Sequence, residues 1–153
     1  MIFFGANDAT LPGNFQHVPL EIFRENLRNL VQHSAVVAQQ PRIILLTPPP
    51  VNQYQLEAWD EATDTLQPSR TALHTKLYAD TAREVGTSLN LPVADIWTAF
   101  MKVAGWKEGQ PLPGSRDVPE NAKLASLLTD GAHILADDCS YKSCSDNYWQ
   151  DYI

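Results

Sequence analysis

The chain has 153 residues, a size that favours one domain with room for a real core and leaves little for a second. Lys and Arg number 11 against 18 Asp and Glu, a formal charge of −7, and no basic cluster occurs anywhere, which argues against a nucleic-acid binder. A hydrophobic fraction of 44% with four Trp, five Tyr and five Phe excludes a disordered chain. No apolar run approaches the roughly 20 residues that cross a bilayer, so no membrane span is expected. Without a secretory leader pattern at the N-terminus, a cytoplasmic location is the expectation.

Residues 1–4 are a continuous apolar run ended by Gly5, the pattern of a strand buried on both faces. A Gly, Pro and Asn-rich loop follows to Pro19. Leu20, Phe23, Leu27, Leu30 and Val31 then recur at helical spacing and predict an amphipathic helix over 20–37, with Glu21/Arg24 and Glu25/Arg28 on its wet face. Pro41 introduces a second apolar strand over 42–47, stopped by Pro48-Pro49-Pro50, which lack ladder donors. A short helix is expected around 55–61. A longer one runs over 70–89, capped by Ser69 and burying Leu73, Leu77, Ala82 and Val85. Residues 93–97 predict a third strand, 98–104 a helix, 107–118 a loop and 119–128 a last helix. Strands alternating with helices imply βαβ units, a parallel sheet covered by helices on both faces. In such sheets ligands sit beyond the carboxyl ends of the strands, so the residues after Phe4, Leu46 and Ile96 share one functional rim.

Two motifs on that frame can carry chemistry. Gly5-Ala6-Asn7-Asp8 directly follows the first strand, where glycine permits a sharp exit and an Asn amide can aim a donor at the rim. Asp130-Gly131-Ala132-His133 spaces a carboxylate and an imidazole three residues apart. A carboxylate on one ring nitrogen fixes the tautomer and leaves the other nitrogen free as a general base. Each motif taken alone also fits a purely structural turn or an exposed ion pair. Cys139 and Cys144 are expected to be free thiols; a metal site built from them with His133 and Asp137 or Asp138 is the alternative, and its Cys-x4-Cys spacing is outside the tight patterns of most zinc sites.

In combination and in this order, Phe3-Phe4-Gly5-Ala6-Asn7-Asp8-Ala9, Leu46-Thr47-Pro48-Pro49-Pro50, Leu91-Pro92-Val93-Ala94-Asp95-Ile96-Trp97 and Leu127-Leu128-Thr129-Asp130-Gly131-Ala132-His133 resemble the SGNH hydrolases, or GDSL esterases and lipases, and within them the isoamyl acetate-hydrolysing esterase branch. The resemblance covers residues 1–138, an SGNH hydrolase-type domain, and leaves 139–153 as a divergent tail. It implies a three-layer α/β/α, flavodoxin-like fold and hydrolysis of short-chain, acetate-like esters without a cofactor or metal. It further implies that Asn7 donates to the oxyanion, that His133 is the base and Asp130 its orienter, and that Gly5, the proline triplet Pro48, Pro49 and Pro50, and Trp59 belong to the substrate pocket.

One departure from the family pattern is chemical. The family's nucleophile lies in a Gly-Asp-Ser that precedes its Gly-x-Asn-Asp motif, together with a glycine that adds an oxyanion N–H. Only four residues precede Gly5 here, and none of the chain's serines stands in a Gly-Asp-Ser. The expectation is therefore an N-terminally truncated domain whose first strands are missing, with no nucleophile in the chain and no turnover by the chain alone. The alternative is a pseudoenzyme or interaction module whose first strand, left as a bare edge, self-associates or accepts a partner's strand.

Overall fold

The computed structural model describes residues 1–62 and 68–134. In chain order the elements are β1 (Ile2–Phe3), α1 (Leu20–Gln32), α2 (Ser34–Ala38), β2 (Leu45–Leu46), α3 (Gln53–Ala62), α4 (Ala72–Ser88), β3 (Val93–Ala94), α5 (Ile96–Val103) and α6 (Ala122–Ala125). The three strands form a parallel sheet in the order β1-β2-β3, in the register Ile2 to Leu45 and Leu45 to Val93. This is the expected α/β architecture of a parallel sheet flanked by helices. On the outer side of β1 no strand pairs among the described residues.

The main core lies where α1 and α4 meet β2: Phe23 and Leu27 from α1, Leu45 from β2, and Tyr78, Ala82 and Val85 from α4. Phe23 and Tyr78 pack ring to ring at 5.1 Å, and the Tyr78 hydroxyl donates to the Val18 carbonyl at 2.5 Å. Burial, helped by the charge of Asp8, pushes the Tyr78 phenol up to about 12, so it stays a neutral donor. The close approach of α4 to the sheet depends on Gly86, where an added Cβ would lie 2.2 Å from a Val93 methyl.

Four expectations are corrected. The helix expected over 20–37 breaks at His33, which leaves helical geometry and accepts the Ala35 N–H on its ring, so α1 and α2 are separate. The α4 cap is Thr71, whose side chain accepts the His74 N–H; Ser69 is buried with its own N–H donated to Asp60. Leu73 and Leu77 are 65% and 41% exposed; the inner face of α4 is built of smaller residues, Ala72, Thr75, Ala79, Ala82 and Gly86, with Tyr78 and Val85. Trp97 belongs to α5, because Asp95 ends the strand by accepting the Thr98 N–H as an N-cap.

Candidate active site

Parallel pairing puts the residues after β1, β2 and β3 on one rim. After β1 the chain turns sharply at Gly5, whose φ is +111°, and a Cβ there would press on Pro48 at 3.0 Å and Phe23 at 3.1 Å. The following turn is fixed by Asp8, which accepts the Gly5 N–H at 3.0 Å, and by bonds from Ala9 N–H to Gly5 and from Thr10 N–H to Asn7. Asn7 is thereby carried at the exposed crest of a tight, internally bonded loop.

After β2, Thr47 and the proline triplet are buried. The Thr47 hydroxyl donates to Asp95 at 3.2 Å and accepts the Trp97 N–H at 3.0 Å, which ties the end of β2 to the start of α5. Arg83 completes the cluster, donating to Asp95 at 2.8 Å. Burial pushes the Asp95 carboxyl up, but the bonds from Thr98, the Arg83 charge and the Thr47 hydroxyl outweigh it and hold Asp95 below the ordinary range.

Asp130 and His133 lie in a loop closed by an antiparallel bridge between Leu128 and Ile134 and by the Thr129 N–H donating to the His133 carbonyl at 2.9 Å. Its seat is a polar knot at the start of α3. The Asn52 N–H donates to the Gly131 carbonyl at 2.8 Å, and the buried Asn52 side chain pairs with Gln55, which reaches the Ala125 carbonyl at 3.2 Å. Gly131 has φ +86°, and a Cβ would lie 2.5 Å from the Asn52 carbonyl oxygen, so only glycine fits under the loop.

One carboxylate oxygen of Asp130 accepts the backbone N–H of Ala132 at 3.0 Å and of His133 at 2.9 Å; the other meets His133 Nδ1 at 2.7 Å. Burial works against the Asp130 anion, yet the His133 ring bond and these two N–H bonds hold it well below the usual carboxylate range. Because an ionised carboxylate only accepts, Nδ1 carries the proton in the neutral imidazole and Nε2 is left with a free lone pair.

Asn7, Trp59, Asp60, Arg70, Asp130 and His133 line one cavity of about 310 Å³, the low end of the range for small-molecule sites. The pair of local motifs is thus brought together, although Asn7 and His133 are 126 positions apart in the sequence. Trp59 is on the wall and half exposed. Gly5 and the proline triplet are not on that wall: they shape the rim from behind, with Pro48 packed against Gly5. Asp60 and Arg70 escaped the sequence reading, since neither stands in a motif. Among the described residues no group of three His, Cys, Asp or Glu could hold a metal ion, and Cys139 and Cys144 lie outside the described residues.

A cavity at the carboxyl rim of a parallel sheet, with an Asn from the first strand's exit and an Asp-held His on its wall, is the layout of an SGNH-type hydrolase domain. A profile of the GDSL-like lipase/acylhydrolase family matches residues 1–137, and the chain belongs to that family. It is 36% identical to the GDSL esterase/lipase At5g45920 of Arabidopsis thaliana over 110 residues, covering 69% of this chain and 46% of the relative. To the isoamyl acetate-hydrolyzing esterase 1 homolog of Rattus norvegicus it is 32% identical over 138 residues, covering 87% and 47%. The crystal structure of the lipase/acylhydrolase from Enterococcus faecalis superposes with a TM-score of 0.56 at 28% identity, covering 87% of this chain and 50% of that one. The chain spans about half the length of these relatives.

Proposed function

We propose that the site is the oxyanion-binding and general-base portion of a carboxylic ester hydrolase for short-chain, acetate-like esters. The observation that carries this reading is the Asp130-held His133 on the wall of the same small cavity as Asn7. In the reaction, His133 Nε2 takes the proton of a serine hydroxyl as that oxygen attacks the ester carbonyl. The Asn7 amide donates to the oxygen on which negative charge collects, an interaction typically worth about 10² to 10³ in rate. Asp130 balances the imidazolium until His133 returns the proton to the leaving alkoxide. The small cavity matches a short acyl group and a small alcohol, and a cytoplasmic setting is part of the same proposal.

Among the described residues no serine is bonded to His133, and on this reading the nucleophile is a serine of the family's Gly-Asp-Ser type. Ser69 lines the cavity, but it is buried, its N–H is given to Asp60, and its hydroxyl lies 3.5 Å from an Arg70 nitrogen with no bond to His133. The test is a chimera that joins a Gly-Asp-Ser segment of the family pattern to this chain, assayed on p-nitrophenyl acetate. Turnover that disappears with His133→Ala supports the reading. A folded, inactive chimera refutes it; serine labelling of the present chain by a fluorophosphonate would overturn the expectation that the chain holds no nucleophile.

The open edge of β1 favours a second reading, an interaction module without turnover. Phe3 and Phe4 are 39% and 54% exposed there, and the outer backbone groups of β1 have no ladder partner among the described residues. The occupant on this reading is a second copy, because a strand edge is self-complementary about a two-fold axis. Sedimentation supports it if a dimer is lost in Phe3→Lys, and a monomer at every concentration overturns it.

A further inference from the structure

We infer that Arg70 is a positioning residue that sets which end of the Asn7 amide faces the cavity; the inference rests on the proposed role of Asn7. Arg70 precedes α4, is 6% exposed, and reaches across to the loop after β1. Its Nε donates to the Ala6 carbonyl at 2.8 Å and one terminal nitrogen donates to Asn7 Oδ1 at 3.1 Å.

The two ends of an Asn amide are nearly equal in size, so packing alone does not choose between them. A guanidinium chooses, because it has five N–H donors and no acceptor. The amide atom facing Arg70 must be the oxygen, and the NH₂ group is therefore turned away from it. With the amide reversed, Asn7 would offer an oxygen lone pair where the reading requires a donor, and a developing oxyanion would be repelled. By gripping the Ala6 carbonyl as well, Arg70 holds the main chain and the side chain of this turn together.

The charge of Arg70 is costly to keep there. Among the described residues its hydrogen-bond acceptors are neutral oxygens, those of Ala6, Asn7 and Ser69, while the carboxylates of Asp60 and Asp130 act on its charge without bonding to it. Burial works against the cation more than those carboxylates favour it. A leucine or methionine would fill the space without that cost but would leave the Asn7 amide free to rotate about a broad torsion.

The test uses the full chain labelled with ¹⁵N. The Asn7 side-chain NH₂ pair is assigned by its disappearance in Asn7→Asp, and its heteronuclear NOE is measured beside those of the Gly5 and Thr10 backbone amides. In the unsubstituted chain the Asn7 NH₂ is expected to be as rigid as the backbone. In Arg70→Met its NOE should fall while the Gly5 and Thr10 values hold, and Arg70→Lys, which keeps a donor toward Oδ1, should restore it in part. Asn7 remaining rigid in Arg70→Met overturns the inference. So does loss of order throughout residues 5–10, which would make Arg70 a structural tether only. Should Arg70→Met fail to fold, Arg70→Lys decides: a rigid Asn7 NH₂ supports the inference and a mobile one overturns it. Sodium acetate separates this from failure of the oxyanion reading. If acetate leaves the Asn7 NH₂ unshifted in the unsubstituted chain, the oxyanion reading fails; if it shifts there, that reading stands and the NOE of Arg70→Met decides the inference.

Discussion

Replacing Asp130 by Asn changes one atom and tests the logic of the His133 site. Asp130 accepts three bonds, from the N–H groups of Ala132 and His133 on one oxygen and from His133 Nδ1 on the other. The backbone donors are fixed, so the new amide must keep its oxygen toward them and turn its NH₂ toward the imidazole. That NH₂ needs an acceptor, and Nδ1 can accept only if its proton moves to Nε2. Asp130→Asn is therefore expected to reverse the His133 tautomer and to remove the lone pair that the proposed mechanism uses. In complete enzymes of this logic the wrong tautomer costs about 10⁴ in kcat.

The stability effect can be bounded from the same three bonds. Two of them survive as neutral bonds of ordinary strength, while the third loses its charge assistance at a side chain that is 18% exposed. A loss of about 1 to 2 kcal/mol follows, or about 3 to 6 °C in Tm for a chain of this length. Long-range ¹H–¹⁵N correlation of the His133 ring gives the tautomer, and calorimetry gives the Tm. Nδ1–H in both proteins, or Nε2–H already in the unsubstituted chain, would refute the reasoning whatever happened to stability.

Asp130 and Asp95 are both held below the ordinary carboxylate range, so their stabilising contributions are complete above about pH 4 and are lost as the pH falls through their depressed folded values. Urea unfolding at stepped pH should show stability falling steadily below about pH 4, with a shallower fall in Asp130→Asn. Gly86→Ala should cost about 2 kcal/mol, since its Cβ would meet the stiff Val93 side chain at 2.2 Å and push α4 off the sheet; an unchanged urea midpoint would contradict that packing. Asn7→Asp places a carboxylate against the buried Arg70 and should raise stability by about 1 kcal/mol while abolishing the donor toward acetate, a trade-off measured by Tm and acetate titration on one variant.

What the sequence made legible follows the range of the interactions involved. α1 was legible because its apolar stripe is a local pattern, and the Asp130–His133 pair because its partners are three residues apart. The strands lie where the apolar runs predict them but are shorter: β2 is Leu45–Leu46 within an expected 42–47, and it pairs only with the two-residue β1 and β3. α4 is legible but its inner stripe is not, since large leucines look like core from composition. The sheet leaves no room for a side chain at Gly86, and the buried face runs through Ala79, Ala82 and Gly86 with Tyr78 and Val85, which leaves Leu73 and Leu77 on the outer face. Apolar residues continue past Ala94, so Trp97 reads as strand, but the cap made by Asp95 overrides that propensity. Arg70 was illegible for a different reason. It acts on residues 63 and 64 positions away, and nothing near it in the sequence marks it.

The two walls of the cavity use one device in opposite senses. An Asn amide and an imidazole each have two ends that packing cannot tell apart, and each is set by a partner able to make only one kind of bond. Arg70 only donates, so Asn7 must show it an oxygen and present N–H elsewhere. Asp130 only accepts, so His133 must show it an N–H and keep its lone pair for the other nitrogen. On the proposed reading, ester hydrolysis needs a donor for the oxyanion and an acceptor for the hydroxyl proton, and these are the two polarities the partners impose. Exchanging either partner for its neutral isostere should then change the function of the facing group more than its position.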